Sequence, residues 1–154
     1  MQRSSKRAAA TGAVVAMVIS GAALVGVPGA QADDVSRQIA GTWRVTVQPS
    51  SGPSTAPFES IIAYTSSGSV IEVTSRAPAS SGLGSWERLG SGRYATTFEK
   101  YRFSGTNYLG KTVIEEVSEV SPDGSRYTAT ATSTFLNSDG TRQVLSSTAV
   151  GERM

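Results

Sequence analysis

Apolar and polar residues alternate with a period of two along most of the chain after Gly41. In residues 42–47, for example, Trp43, Val45 and Val47 fall on one side, and threonine and arginine fall on the other. This alternation is typical of a strand with one buried face. Seven similar runs follow, separated by turns rich in glycine, proline, serine and asparagine. The predicted strands are residues 42–47, 58–66, 69–76, 84–89, 93–103, 111–120, 126–135 and 143–150.

The turns between these runs favour direct reversals of the chain. Ser-Pro-Asp-Gly at 121–124 and Asn-Ser-Asp-Gly at 137–140 are the clearest of them, because glycine readily adopts the positive φ that tight turns need. Ahead of the first strand, Asp34 can cap a short helical turn over residues 35–40 that ends at Gly41. We therefore predict an all-β domain, a single antiparallel up-and-down eight-stranded barrel preceded by a short helical turn. A β-sandwich is the alternative.

The N-terminal segment has the order of a secretory signal peptide. Residues 1–12 carry three basic residues and no acid, an apolar run covers residues 13–27, and Ala-Gln-Ala ends at Ala32. The apolar run is shorter than the roughly 20 residues that a membrane-spanning helix needs. We expect cleavage after Ala32, which divides the chain into a signal peptide, residues 1–32, and a secreted barrel domain, residues 33–154. No membrane contact is expected after cleavage.

Composition excludes several kinds of chemistry. The 154-residue chain contains no histidine and no cysteine, so it has no Ser-His or Cys-His nucleophile, no disulfide and no thiolate metal site. Removing residues 1–32 takes away three of the 14 lysines and arginines and none of the 12 acids, which changes the net charge from +2 to −1. That charge gives no reason to expect a nucleic-acid partner. We expect no metal and no cofactor, and an exported chain without disulfides suits a bacterial source.

Gly41-Thr42-Trp43, after a helical turn and at the start of an eight-stranded meander, resembles the lipocalin-type (calycin) barrels. Avidins and fatty-acid-binding proteins share that architecture. The resemblance implies that Trp43 closes one end of the barrel and that a basic residue of the last strand, Arg153, packs across its ring as a cation–π pair. Residues 84–88, Gly-Ser-Trp-Glu-Arg, resemble small secreted actinobacterial proteins of unassigned role.

An eight-stranded barrel is wide enough to hold one small ligand, or it fills with its own side chains. On the fifth strand both faces mix apolar and charged residues, and we interpret Tyr94 and Phe98 as inward, with Tyr101 and Phe103 outward or at the rim. The candidate ligand-binding residues share a large apolar or aromatic side chain on a predicted inward face. They are Phe58, Ile62, Tyr64, Trp86, Tyr94, Phe98 and Tyr127.

Charged residues inside the predicted strands are a second source of chemistry. Glutamates interrupt the β runs at Glu72, Glu99, Glu115 and Glu116. Glu115 and Glu116 must face opposite sides of their strand, so one of them can point into the barrel. A carboxylate in an apolar cavity has a raised pKa and can act as an acid or a base. The alternative is that all four lie on the solvent face. Lys100 and Arg102 can pair with them or hold a ligand carboxylate.

These patterns favour a secreted, lipocalin-like protein that binds a small apolar or aromatic molecule. One alternative is a small barrel enzyme of the cyclase or isomerase type that works by confining its substrate. Another is a self-filled barrel that acts through its surface. Nothing in the sequence demands catalysis, and no catalytic residue can be assigned from it.

Overall fold

The computed structural model describes residues 38–50, 52, 54–76 and 79–154. Their eight strands form one closed barrel in which every neighbouring pair is antiparallel and the last strand pairs with the first. The up-and-down eight-stranded barrel is thereby confirmed, and the sandwich alternative is wrong. The strands are β1 (Gly41–Pro49), β2 (Phe58–Tyr64), β3 (Ser69–Thr74), β4 (Gly82–Gly90), β5 (Arg93–Ser104), β6 (Asn107–Val120), β7 (Arg126–Asn137) and β8 (Arg142–Arg153).

The strand ends differ from the predicted ones at two turns, one shorter and one longer than the sequence suggests. The sixth strand was predicted to begin at residue 111, but β6 begins at Asn107 and includes Gly110. Gly110 has φ +124°, and a Cβ there would come within 2.1 Å of the Leu136 carbonyl oxygen on β7, so the strand continues only because this residue is glycine. The β2–β3 turn begins earlier than predicted, with Gly68 N–H donating to the Thr65 carbonyl at 3.1 Å.

The N-terminal predictions fall mostly outside the described residues. The signal peptide, residues 1–32, lies entirely outside them, as does the first half of the helical turn predicted over residues 35–40. Residues 38–40 are described and are not helical. The chain therefore enters β1 from an irregular segment, in which Ile39 is fully buried against the core.

Alternation decides which side chains enter the barrel. In the C-terminal half of β6, buried residues alternate with more exposed neighbours; the buried ones are Ile114, Glu116, Ser118 and Val120. The same alternation on β5 places the side chains of Tyr94 and Phe98 inside the barrel, while Tyr101 is 52% exposed on the outer face. The interior is thus a continuous lining of alternate residues from all eight strands.

One end of the barrel is closed by packed aromatic rings. Trp43 meets Tyr127 edge to face, with ring centroids 5.0 Å apart, and its indole N–H donates to the Ile39 carbonyl at 2.7 Å. Arg153 lies across the outer side of Trp43, with its guanidinium carbon 4.2 Å from the ring centroid. The same guanidinium donates to the carbonyl oxygens of Gln38, Ala40 and Gly124. These contacts join the first strand to the last and shut this end.

Replacing Arg153 by alanine is expected to lower the free energy of unfolding by about 1 kcal/mol, since a partly solvated cation–π contact contributes about that much. Urea denaturation followed by tryptophan fluorescence measures the change. Arg44→Ala is the matched control, because Arg44 is exposed on the outer face of β1. Equal effects of the two substitutions would contradict the stabilising role of Arg153.

Candidate functional site

The half of the barrel farthest from Trp43 is hollow. It holds a cavity of about 400 Å³. The cavity reaches the end of the barrel at which β1 leads to β2, β3 to β4 and β7 to β8. A cavity of this size means that the barrel interior is not filled by its own side chains. The apolar side chains around it come from six strands and include Val47, Phe58, Ile62, Phe98, Ile114, Ala131, Phe135, Leu145 and Ala149.

The seven residues predicted to contact a ligand divide between the two halves of the barrel. Phe58, Ile62 and Phe98 line the cavity, whereas Tyr64, Trp86, Tyr94 and Tyr127 do not. Those four side chains pack in the closed half. Trp86 stacks edge to face on Tyr94 at 5.4 Å and donates its indole N–H to the Thr65 carbonyl at 2.9 Å.

Sequence reasoning missed several cavity residues, chiefly Ile114, Ala131, Phe135 and Leu145. A signal for them existed, because Phe135 and Ala131 share the face of Tyr127 in the alternating pattern of β7. The pattern identifies the inward face of a strand. It does not say how far along the barrel axis each residue lies, and that height separates packed aromatics from cavity-lining ones.

Two of the four strand glutamates lie inside the barrel. Glu72 is 2% exposed and Glu116 is 6% exposed, and both border the cavity. Glu115 is exposed on the opposite face of β6, and Glu99 is exposed where it pairs with Lys111 at 2.9 Å. The alternative in which all four glutamates face solvent is therefore wrong for Glu72 and Glu116.

Glu72 is held by a compact polar group in the wall of the cavity. Its Oε1 accepts the Ser60 hydroxyl at 2.7 Å, and the Lys100 ammonium lies 3.1 Å from Oε1 and 3.3 Å from Oε2. The Lys100 side chain is only 13% exposed and that of Glu72 only 3%. The pair is thus a buried ion pair with a third hydrogen bond, the arrangement that lets opposite charges persist away from water.

Glu116 has a different environment. Its Oε1 accepts the Tyr64 hydroxyl at 3.3 Å, and no cation among the described residues pairs with it. Burial raises its pKa from 4.5 to about 7, against the lowering effect of the Tyr64 hydrogen bond and with a further increase from Glu72. Burial also raises the pKa of Tyr64 well above its usual value, with Glu116 adding to the effect, so Tyr64 remains a donor.

Cations lie at the open rim. The Arg102 guanidinium packs over the Phe135 ring at 5.1 Å and donates to Asn137 Oδ1, and Arg76 packs over Phe58 at 5.1 Å. All four of these arginine and phenylalanine side chains border the cavity. The site therefore has a cationic rim, an apolar middle crossed by one ion pair, and a carboxyl group at its inner end.

No cluster of three or more His, Cys, Asp or Glu side chains in the described part of the chain can hold a metal ion. Within the same residues, no helix is long and apolar enough to span a membrane.

Comparison with protein-family models and with curated proteins finds no match for this chain. The cavity is the feature of the described structure that bears on function.

Proposed function

We propose that the chain is a secreted, lipocalin-like protein that binds a small apolar or aromatic molecule inside its barrel. The observation that carries this proposal is the cavity of about 400 Å³, which is within the usual range for small-molecule pockets. Apolar and aromatic side chains surround it, and the few polar groups among them can orient a ligand. Secretion is supported by the signal-peptide pattern of residues 1–32.

Filling the cavity tests this proposal. Ala131 lies on the inward face of β7 and borders the cavity, so Ala131→Phe places a ring in the space where the ligand would bind. We expect the mature protein to bind the fluorescent probe 1-anilinonaphthalene-8-sulfonate, and Ala131→Phe to weaken that binding about tenfold, which corresponds to about 1.4 kcal/mol. Fluorescence titration gives both dissociation constants, and circular dichroism checks that the variant is folded.

Thr130→Phe is the matched control, because Thr130 is the exposed neighbour of Ala131 on the outer face of β7. Unchanged probe binding by Ala131→Phe, or equal loss in both variants, would contradict binding inside the barrel. Mass spectrometry of the protein purified from its producer is the direct search for the natural ligand. Tryptophan quenching is a poor reporter of that ligand, since Trp43 and Trp86 both lie outside the cavity lining.

An enzyme of the cyclase or isomerase type is a second candidate, and Glu116 is the observation that favours it. A carboxyl group with a pKa of about 7 can give or take a proton at neutral pH, and this one borders an apolar cavity. Such an enzyme would return the natural ligand with the same mass and a different structure, which nuclear magnetic resonance detects. Glu116→Gln would return it unaltered.

A further inference from the structure

A layer of buried polar side chains lies beneath the inner end of the cavity, in contrast to its apolar middle. We call this region the polar floor. Its five members are buried side chains that point inward from β2, β5, β6 and β7, and Glu116 is the member that borders the cavity. They are Tyr64, Thr96, Glu116, Ser118 and Tyr127.

The polar floor has unused hydrogen-bonding capacity. The hydroxyl oxygens of Thr96, Ser118 and Tyr127 are buried and have no hydrogen-bond partner among the described residues. Thr96 and Tyr127 lie beside the Tyr64 hydroxyl, but neither forms a bond of good geometry with it. Buried polar groups are hydrogen-bonded in the great majority of cases, so three buried hydroxyls without a well-formed hydrogen bond in one layer are unusual.

Every member of the polar floor presents oxygen. A carboxylate only accepts hydrogen bonds, and a hydroxyl can turn its lone pairs toward a donor, whereas none of these side chains carries an N–H group. Glu72 adds a small coulombic contribution to the raised pKa of Glu116, and its own charge is paired with Lys100. The chemistry of the floor therefore favours a ligand group that is cationic and donates several hydrogen bonds.

The cations that border the cavity are paired with groups other than Glu116: Lys100 with Glu72, and Arg102 with Asn137 and the Phe135 ring. Thr96 stands opposite Glu116 in the β5–β6 ladder, and Lys100 and Arg102 follow Thr96 on the same face of β5. At about 3.4 Å per residue, the Lys100 and Arg102 backbones are about 13 Å and about 20 Å farther along the strand than Thr96, and neither side chain forms an ion pair with Glu116. Lys100 is also neutralised by Glu72. The buried carboxyl of Glu116 thus lacks the partner that a buried charge requires, and a ligand can supply it.

We propose that the cavity binds a small amine with an apolar body, whose ammonium group pairs with Glu116 on the polar floor. The apolar body lies among Ile62, Phe98 and Ile114, which border the cavity beside Glu116. This inference rests on the proposed binding function and specifies the ligand class of that same site. A carboxylic acid would instead meet the Glu116 carboxylate if its head group reached the floor.

Binding of an ammonium group is linked to a proton on Glu116. The titratable and charged groups that face Glu116 are Tyr64 from β2, Glu72 from β3 and Tyr127 from β7, and both tyrosines have pKa values raised by burial. The pair forms with ionised Glu116, whose pKa is about 7 in the free protein. Below that pH the carboxyl must lose a proton before it pairs, so the affinity for an amine falls as the pH is lowered.

Three probes with one common chain test the inference: octylamine, octan-1-ol and octanoate, measured by isothermal titration calorimetry at pH 8 and pH 6. We expect octylamine to bind at least tenfold more tightly than octan-1-ol at pH 8, and about tenfold less tightly itself at pH 6. Glu116→Gln should abolish the advantage of octylamine and keep the binding of octan-1-ol. Glu115→Gln is the matched control, because Glu115 is adjacent in the chain and exposed on the outer face.

Each remaining outcome is informative. If octan-1-ol binds but octylamine gains nothing, if octanoate binds most tightly, or if Glu116→Gln binds octylamine as the natural chain does, the amine inference is overturned while the binding function stands. If none of the three probes binds and 1-anilinonaphthalene-8-sulfonate also fails to bind, the proposed function itself is wrong. The pH dependence in the unaltered protein gives a second measurement that requires no substitution.

Discussion

Replacing Lys100 by methionine is expected to lower the free energy of unfolding by about 3–5 kcal/mol at pH 7, the usual cost of leaving one partner of a buried ion pair alone. Methionine keeps most of the apolar stem and removes the charge. Glu72 would then retain only the Ser60 hydroxyl as a partner at a position that is 2% exposed. The expected loss in the free energy of unfolding therefore comes from the unpaired Glu72 carboxylate and not from lost packing.

Urea denaturation at pH 7, followed by tryptophan fluorescence, measures this change. Lys111→Met is the matched control, since Lys111 forms the same kind of pair with Glu99 on the exposed outer face and should lose little stability. Replacing both partners, Glu72→Gln with Lys100→Met, should recover most of the loss, because an amide carries no charge. The prediction is contradicted if Lys100→Met is no more harmful than Lys111→Met, or if the double variant is as unstable as the single one.

Glu116→Gln is expected to stabilise the protein above pH 7 and to leave it unchanged near pH 4.5. Burial raises the pKa of Glu116 from 4.5 to about 7, so the folded state holds a proton that the unfolded state has released between those values. The stability that belongs to the protonated group is complete below pH 4.5 and is lost as the pH rises to 7. At about 1.4 kcal/mol for each pKa unit, the loss is about 3 kcal/mol.

The measurement is the free energy of unfolding of both proteins at intervals from pH 4.5 to pH 8. The difference between them should grow from near zero to about 3 kcal/mol across this window, since glutamine does not titrate. Glu115→Gln should show no such trend, because Glu115 is exposed. A constant difference between Glu116→Gln and the natural chain across the window would mean that Glu116 does not titrate within it.

Much of this fold could be predicted from the sequence, because its determinants are local. Alternation of apolar and polar residues fixes the strands, and turn residues such as Gly124 and Gly140 adopt the positive φ that reverses the chain. The inclusion of Gly110 in β6 could not be predicted, because the reason for that glycine is not local. It lies in the close approach of the Leu136 carbonyl on β7, which is 26 residues away in the chain.

The site was less predictable, and Trp86 shows why. A tryptophan on an inward face is equally suited to packing and to ligand contact, and the choice depends on where along the axis the hollow begins. Glu116 is the opposite case. The opposed faces of Glu115 and Glu116 follow from strand geometry, but which face is inward depends on the register of β6 with β5 and β7.

The pairing of the first strand with the last has a consequence for how the barrel forms over time. Among the described strands, seven ladders join neighbours in the chain and can grow as successive hairpins, whereas the β1–β8 ladder can close only when both ends of the domain meet. The Arg153 guanidinium then reaches the Ala40 carbonyl, 113 positions away. Such long-range closure is entropically costly and slow. We therefore expect the β1–β8 ladder to be the last of the eight ladders to form during folding.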